Sequence, residues 1–222
     1  MKALILAAGK GTRLGSLNPN LPKPLVRIKG KPLILWNIEK LRDSGINKIV
    51  INLFHQGAQI REFLGNGSEY GVDIQYSEEE ELLGTGGGAG NALSLLGKGV
   101  FLLISADVWT DLDLSTIALD RPRLAHLILK NNPINHPKGD VSLQNGLVSD
   151  SLETLRLTFS GIALMNPSIF KNIHEQKYGL WDSVLKPACS QELVTGELYE
   201  GVIFNVNTPE DVEKLDALLN EE

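Results

Sequence analysis

Three short segments of this chain carry residue types suited to handling phosphate. The first is Ala7-Ala8-Gly9-Lys10-Gly11-Thr12-Arg13-Leu14, which follows directly on an apolar run. Glycines there let the backbone turn tightly and present N–H groups to an anion. Lys10 and Arg13 add positive charge, and Lys23 sits between two prolines in Leu21-Pro22-Lys23-Pro24-Leu25. A turn stiffened on both sides could aim that ammonium at the same anion. Two familiar phosphate loops are excluded. A G-x-G-x-x-G fingerprint would need Gly where Leu14 stands, and no G-x-x-x-x-G-K-[S/T] string occurs.

The second segment is Leu83-Gly84-Thr85-Gly86-Gly87-Gly88, ahead of a helical pattern that Thr85 could cap. Successive glycines waste backbone entropy unless something flat approaches the main chain. The preceding run Glu78 to Glu81 reads as a solvated turn. The third segment, Ser105-Ala106-Asp107-Val108-Trp109-Thr110-Asp111, ends a short apolar run. An Asp at the C-terminus of a buried central strand faces the ligand edge of a parallel sheet. Asp111 and Asp113 are expected at the surface or as caps.

These segments need a frame. Ala3 to Ala8, Lys48 to Leu53, Val72 to Tyr76 and 100–104 read as strands. Residues 32–43, 56–64 and 86–96 read as helices between them. Alternating strands and helices predict an α/β fold: a Rossmann-like, mostly parallel sheet with helices on both faces. After residue 110 the pattern loosens. Leu124 to Leu129 and Leu155 to Met165 suit strands, and Asn145-Gly146 suits a hairpin turn. A last strand is expected from about Leu198 to Val206. Thr208-Pro209-Glu210-Asp211 then opens a final helix with a reciprocal cap. One domain is expected over 1–222, with a first half over about 1–110 and a second over about 111–222 that carries a small substrate lobe inserted late in the sheet.

Composition narrows the partners. With 21 Lys+Arg against 27 Asp+Glu, the net charge of −6 disfavours nucleic acid. One cysteine, Cys189, excludes an internal disulfide and a Cys-built zinc site. The longest apolar runs are far short of a membrane span, and the N-terminus lacks a secretory pattern. A cytoplasmic location is the expectation.

The string A-A-G-K-G-T-R-L followed by P-K-P-L resembles the signature of nucleotidyltransferases that make NDP-sugars from an NTP and a sugar 1-phosphate. The resemblance implies that Ala8, Gly9, Gly11 and Thr12 wrap the triphosphate. It implies that Arg13 and Lys23 bind phosphates and carry catalysis. Gly84, Thr85 and Gly86 would lie against the nucleobase. Asp107 would bind Mg²⁺. Asn205 would be the second metal position, where Asn replaces the usual Asp but still offers a carbonyl oxygen. Sugar contacts would come from Asp140, Ser160 and Gly161, with His136 an ordinary loop histidine. Within the family, 107–111, 132–140 and 157–162 resemble the uridylyltransferases that act on N-acetylmuramate α-1-phosphate in cell-wall sugar recycling. UTP is therefore the expected NTP. A guanylyltransferase for mannose or heptose 1-phosphate and a non-catalytic sugar-nucleotide sensor are the alternatives.

Overall fold

In the computed structural model, residues 1–9, 11, 20–152, 155–171 and 173–220 are described. Among the described residues, thirteen strands and six α-helices follow one another. The first half holds β1 (Lys2–Leu6), β2 (Arg27–Ile28), β3 (Lys31–Pro32), α1 (Leu33–Asp43), β4 (Lys48–Leu53), α2 (Gly57–Leu64), β5 (Asp73–Glu78), α3 (Gly84–Asn91), α4 (Leu93–Leu96) and β6 (Phe101–Ser105). The second holds β7 (Val108–Thr110), β8 (Ala125–Lys130), β9 (Val141–Gln144), β10 (Leu147–Ser149), β11 (Arg156–Met165), α5 (Lys186–Cys189), β12 (Val194–Leu198), β13 (Ile203–Asn205) and α6 (Pro209–Asn220). A π-helical turn, Trp181–Leu185, leads into α5.

Nine strands form one sheet in the order β5-β4-β1-β6-β11-β8-β12-β10-β9. Strands β5, β4, β1 and β6 are mutually parallel. Strand β11 runs against both β6 and β8, and β12 is parallel to β8. The C-terminal ends of β1, β4, β6 and β8 therefore share one edge, as expected of a mostly parallel sheet. The lobe is not a separate appendage. Because β9 also pairs with β11, strands β11, β8, β12, β10 and β9 close a ring.

The period-2 pattern of the strands explains the two faces. Ala3, Ile5, Ile49, Ile51, Leu102 and Ile104 pack with Ile34, Ile38 and Leu41 of α1 and Ile60 of α2. Their alternates Leu4, Val50, Phe101 and Leu103 pack on the other side with Ala89, Ala92, Leu180 and Val184. A smaller cluster seats Leu215 and Leu219 of α6 on Ile28, Leu33 and Trp109.

Several boundaries differ from expectation. Strand β1 stops at Leu6, two residues early, because the Ala7 N–H is taken by Asn52 Oδ1 at 2.7 Å. The Gly-opened helix begins at Gly84, not 86, so Thr85 lies inside it and is not its N-cap. The expected last strand is two strands. Val194–Leu198 joins the main sheet, and Ile203–Asn205 pairs with β7 after a turn at 199–202. The Asn145-Gly146 turn is as expected, with both residues at positive φ (51° and 76°). So is the helix cap: Thr208 N donates to Asp211 Oδ2 at 2.9 Å, and Asp211 N to Thr208 Oγ1 at 3.3 Å. Thr208→Ala should lower unfolding stability by about 1 kcal/mol, read from denaturant titration, with rates at the site little changed.

Candidate active site

Two adjoining cavities lie along the C-terminal edge of the parallel strands. One, of about 410 Å³, is lined by Ala8, Gly9, Gly11, Lys23, Gly84, Thr85 and Asp107, among others. The second, of about 540 Å³, is lined by Asp140, Phe159, Ser160, Gly161, Trp181 and Asn205, among others. Leu6, Thr85, Ser105 and Asp107 line both, so they form one cleft. The geometry thus brings together eleven of the sequence-expected positions. Gly86 lies under Tyr178, beside the cavity walls. Thr12 and Arg13 lie outside the described residues.

Lys23 is placed by its prolines. Residues 23–25 form one 3₁₀ turn, closed by Leu25 N donating to Pro22 O at 2.9 Å. A Cβ on Gly11 would stand 2.9 Å from Lys23 Cβ, so this glycine is what lets the two segments approach. Lys23 Nζ donates to Asp107 Oδ2 at 2.6 Å and to Asn207 Oδ1 at 2.9 Å. Both partners of the ion pair are largely buried, at 16% and 25% side-chain exposure. Such a pair is electrostatically stronger than a surface one, and it leaves both groups poised where anions would enter.

Asp107 follows β6, and the antiparallel β13–β7 ladder sets Asn205 opposite Val108. Val206 N donates to Asp107 O at 2.9 Å. The Asn205 carboxamide is held at both ends: Oδ1 accepts from Lys130 Nζ, and Nδ2 donates to Ser160 O at 3.2 Å. Lys130, at the end of β8, also donates to Ile203 O at 3.3 Å. Burial lowers the pKa of its ammonium, while the Asp107, Asp211 and Asp140 carboxylates pull the other way.

A divalent cation fits part of this donor set. Lys23 holds Asp107 Oδ2, but a carboxylate keeps a second hard oxygen and its own negative charge at the junction of both cavities, and phosphate oxygens and water could complete a shell there. Asn205 fits less well than the sequence suggests, because a cation would share its oxygen with an ammonium. Among the described residues, no three His, Cys, Asp or Glu side chains cluster as a metal site.

The residues expected on the sugar side are aimed by an irregularity. Pairing of β11 with β8 slips between Phe159 and Ile162, so Ser160 and Gly161 bulge toward the cavity. Asp140 Oδ2 accepts from Phe159 N at 2.9 Å, and its Oδ1 lies 2.8 Å from His136 Nε2. His136 is thus the loop histidine expected, with a carboxylate partner. Asp113 caps a short turn through Ser115 N at 2.9 Å, and Asp111 is exposed, both as expected.

Besides Lys130, two features escaped the sequence reading. Glu79 is not solvated. It is 8% exposed, accepts from Asn52 Nδ2 at 2.7 Å and takes Leu83 N at 3.0 Å. With Ala7 N on Asn52 Oδ1, this joins the segment that follows β1 to the glycine helix. An Asn inside the apolar run of β4 was the available signal. The other feature is what lies flat on the glycines. Tyr178 O accepts from Gly86 N and Gly87 N, both at 3.1 Å, and Thr85 Oγ1 accepts from Leu180 N at 3.0 Å. A Cβ on Gly86 would reach within 2.5 Å of the Tyr178 ring. The chain's own 176–180 segment, hereafter the strap, explains the glycines.

Comparison with known proteins agrees with this architecture. Residues 2–124 match the family described as Nucleotidyl transferase, and the chain belongs to that family, among the sugar-1-phosphate nucleotidyltransferases. It is 39% identical over 216 residues, 94% of each chain, to the N-acetylmuramate alpha-1-phosphate uridylyltransferase of Neisseria meningitidis. It is 26% identical over 215 residues to the D-glycero-alpha-D-manno-heptose 1-phosphate guanylyltransferase of Campylobacter jejuni, covering 95% of this chain and 96% of that one. Among solved structures, HddC from Yersinia pseudotuberculosis, complexed with GMP-PN, shares the fold at a TM-score of 0.80. It is 22% identical, with 98% and 99% of the two chains covered. No helix among the described residues is long and apolar enough to cross a membrane.

Proposed function

We propose that this protein transfers a uridylyl group from UTP to N-acetylmuramate α-1-phosphate, releasing pyrophosphate, in the cytoplasmic recycling of cell-wall sugar. The near full-length identity to the Neisseria uridylyltransferase carries the choice of substrates. The cleft supports the chemistry. In this reading the two cavities are halves of one domain's site, the first for the nucleotide and the second for the sugar.

The nucleophile is a phosphate oxygen whose second pKa is near 6, so it is ionised at pH 7 and needs no general base. The difficulty is gathering anions and holding them in line. Lys23, with Arg13, neutralises the triphosphate, and the backbone of Ala8, Gly9, Gly11 and Thr12 cradles it. Gly84 and Thr85 form the base-side wall, with Gly86 behind them under Tyr178. Asp140, Ser160 and Gly161 orient the sugar so that its phosphate meets the α-phosphorus near Asp107. Mg²⁺ held at Asp107, with Asn205 beside it, would supply further neutralisation of the triphosphate.

Pyrophosphate release from a matrix of four NTPs and several sugar 1-phosphates tests this. UTP with N-acetylmuramate α-1-phosphate should give the highest kcat/KM. A preference for GTP with heptose or mannose 1-phosphate would make the protein a guanylyltransferase instead. Binding without release from any pair would make it a sensor.

A further inference from the structure

The metal side of this cleft contains a lysine in an unexpected place. Lys130 Nζ reaches from the end of β8 to Asn205 Oδ1 and Ile203 O. The opposite end of the same carboxamide donates to Ser160 O. These neighbours fix which end of Asn205 is oxygen and which is nitrogen. They also explain why the residue is Asn. An Asp would set a carboxylate oxygen against the Ser160 carbonyl, two acceptors with no proton between them. The amide suits both contacts at once.

The consequence for charge is direct. A cation bridging Asp107 and Asn205 would meet the Lys130 ammonium on a shared oxygen, and like charges in a partly buried site repel strongly. We propose that Lys130 takes the place of the second metal contact. It holds Asn205 as a neutral carboxamide and supplies fixed positive charge there, leaving the divalent cation to Asp107 and the substrate phosphates. Lys130 and Asn205 then act as one unit, and neither is interchangeable alone. Asn205→Asp in the presence of Lys130 gives an internal ion pair, not a metal ligand. Only when the lysine is also removed does a carboxylate at 205 become available to a cation. Lys130 acts through Asn205 and is a positioning residue. The inference rests on the reading that this cleft takes a divalent cation, but not on which base or sugar it uses.

The test is Mn²⁺ binding to the nucleotide-free full chain, followed by loss of the free-ion EPR signal. Compared are wild type, Asn205→Asp, Lys130→Gln, and Asn205→Asp combined with Lys130→Gln or with Lys130→Met. Gln keeps a donor for residue 205 while removing the charge. Thermal unfolding of each variant, with and without Mn²⁺, checks folding and gives a second readout of binding. Wild type and both single variants should bind weakly, within about threefold of one another. Either double variant should bind about tenfold tighter or more, because carboxylate count sets affinity for a hard cation. Adding Asp107→Ala to a double variant should abolish the gain. Asn205→Asp alone binding as tightly as the doubles would overturn the proposal. So would doubles no tighter than wild type, or a gain that survives loss of Asp107. Because no nucleotide or sugar is present, a wrong substrate assignment leaves these results unchanged.

Discussion

Lys23→Ala should lower kcat/KM by about 10²-fold or more while the protein stays folded. Each lost contact between a cation and phosphate in a partly desolvated site costs about 2–4 kcal/mol. Arg13→Ala is expected to behave alike, since its charge would serve the same triphosphate. Removing Lys23 also leaves Asp107 without the ammonium 2.6 Å away. The variant therefore exposes an unneutralised carboxylate to an incoming anion. The loss should fall mainly on the NTP side, with the KM for sugar 1-phosphate moving less. Steady-state kinetics of both variants would decide this. Values within a few-fold of wild type would mean that neither residue touches a phosphate.

Gly87→Ala should be severely destabilising although alanine favours helices. A Cβ there would stand 2.3 Å from Gln176 O and 2.9 Å from Leu83 Cβ, and the first of these is backbone that cannot rotate away. Overpacking of this kind costs about 1–3 kcal/mol, sometimes more, and relief requires the strap to lift. Gly99→Ala is the control, because nothing stands within 4 Å of its Cβ position. Denaturant unfolding of the two variants gives the comparison. Limited proteolysis should show new cleavage near 173–180 in Gly87→Ala alone. Equal stability of the two would show that the strap yields easily.

Much of the fold was legible because local pattern and tertiary role coincide in the first half. The runs ending at Leu6, Leu53 and Ser105 are apolar on both faces, as central parallel strands must be. The Thr208 cap and the Asn145-Gly146 turn are set by neighbours in sequence, so their residue types suffice to find them. The glycine helix was misread for the opposite reason. What fills the space above Gly86 and Gly87 lies some ninety residues away, and no local pattern announces it. Glu79 was hidden similarly, since its partner Asn52 belongs to β4, well back in the chain. The last strand was displaced because Val194–Leu198 alternates weakly around Gly196, which sits against Leu127 O where a side chain would not fit. At the site, Lys23 and Asp107 stood out by type and context. Lys130 did not, because a lysine ending a strand is ordinarily a solvated one.

The strap also limits how this chain can be recombined. A chimaera joined near residue 110 would take α3 from one parent and the segment that covers it from another. The glycine surface of Gly86 and Gly90, shaped to the Tyr178 ring, would then meet a foreign side chain at 178, beside the Thr85 wall shared by both cavities. Residues 84–91 and 176–181 therefore have to be inherited from the same parent. Attempts to exchange base preference by transplanting the first half alone should yield poorly packed hybrids. Transplanting both segments together should keep the cleft intact.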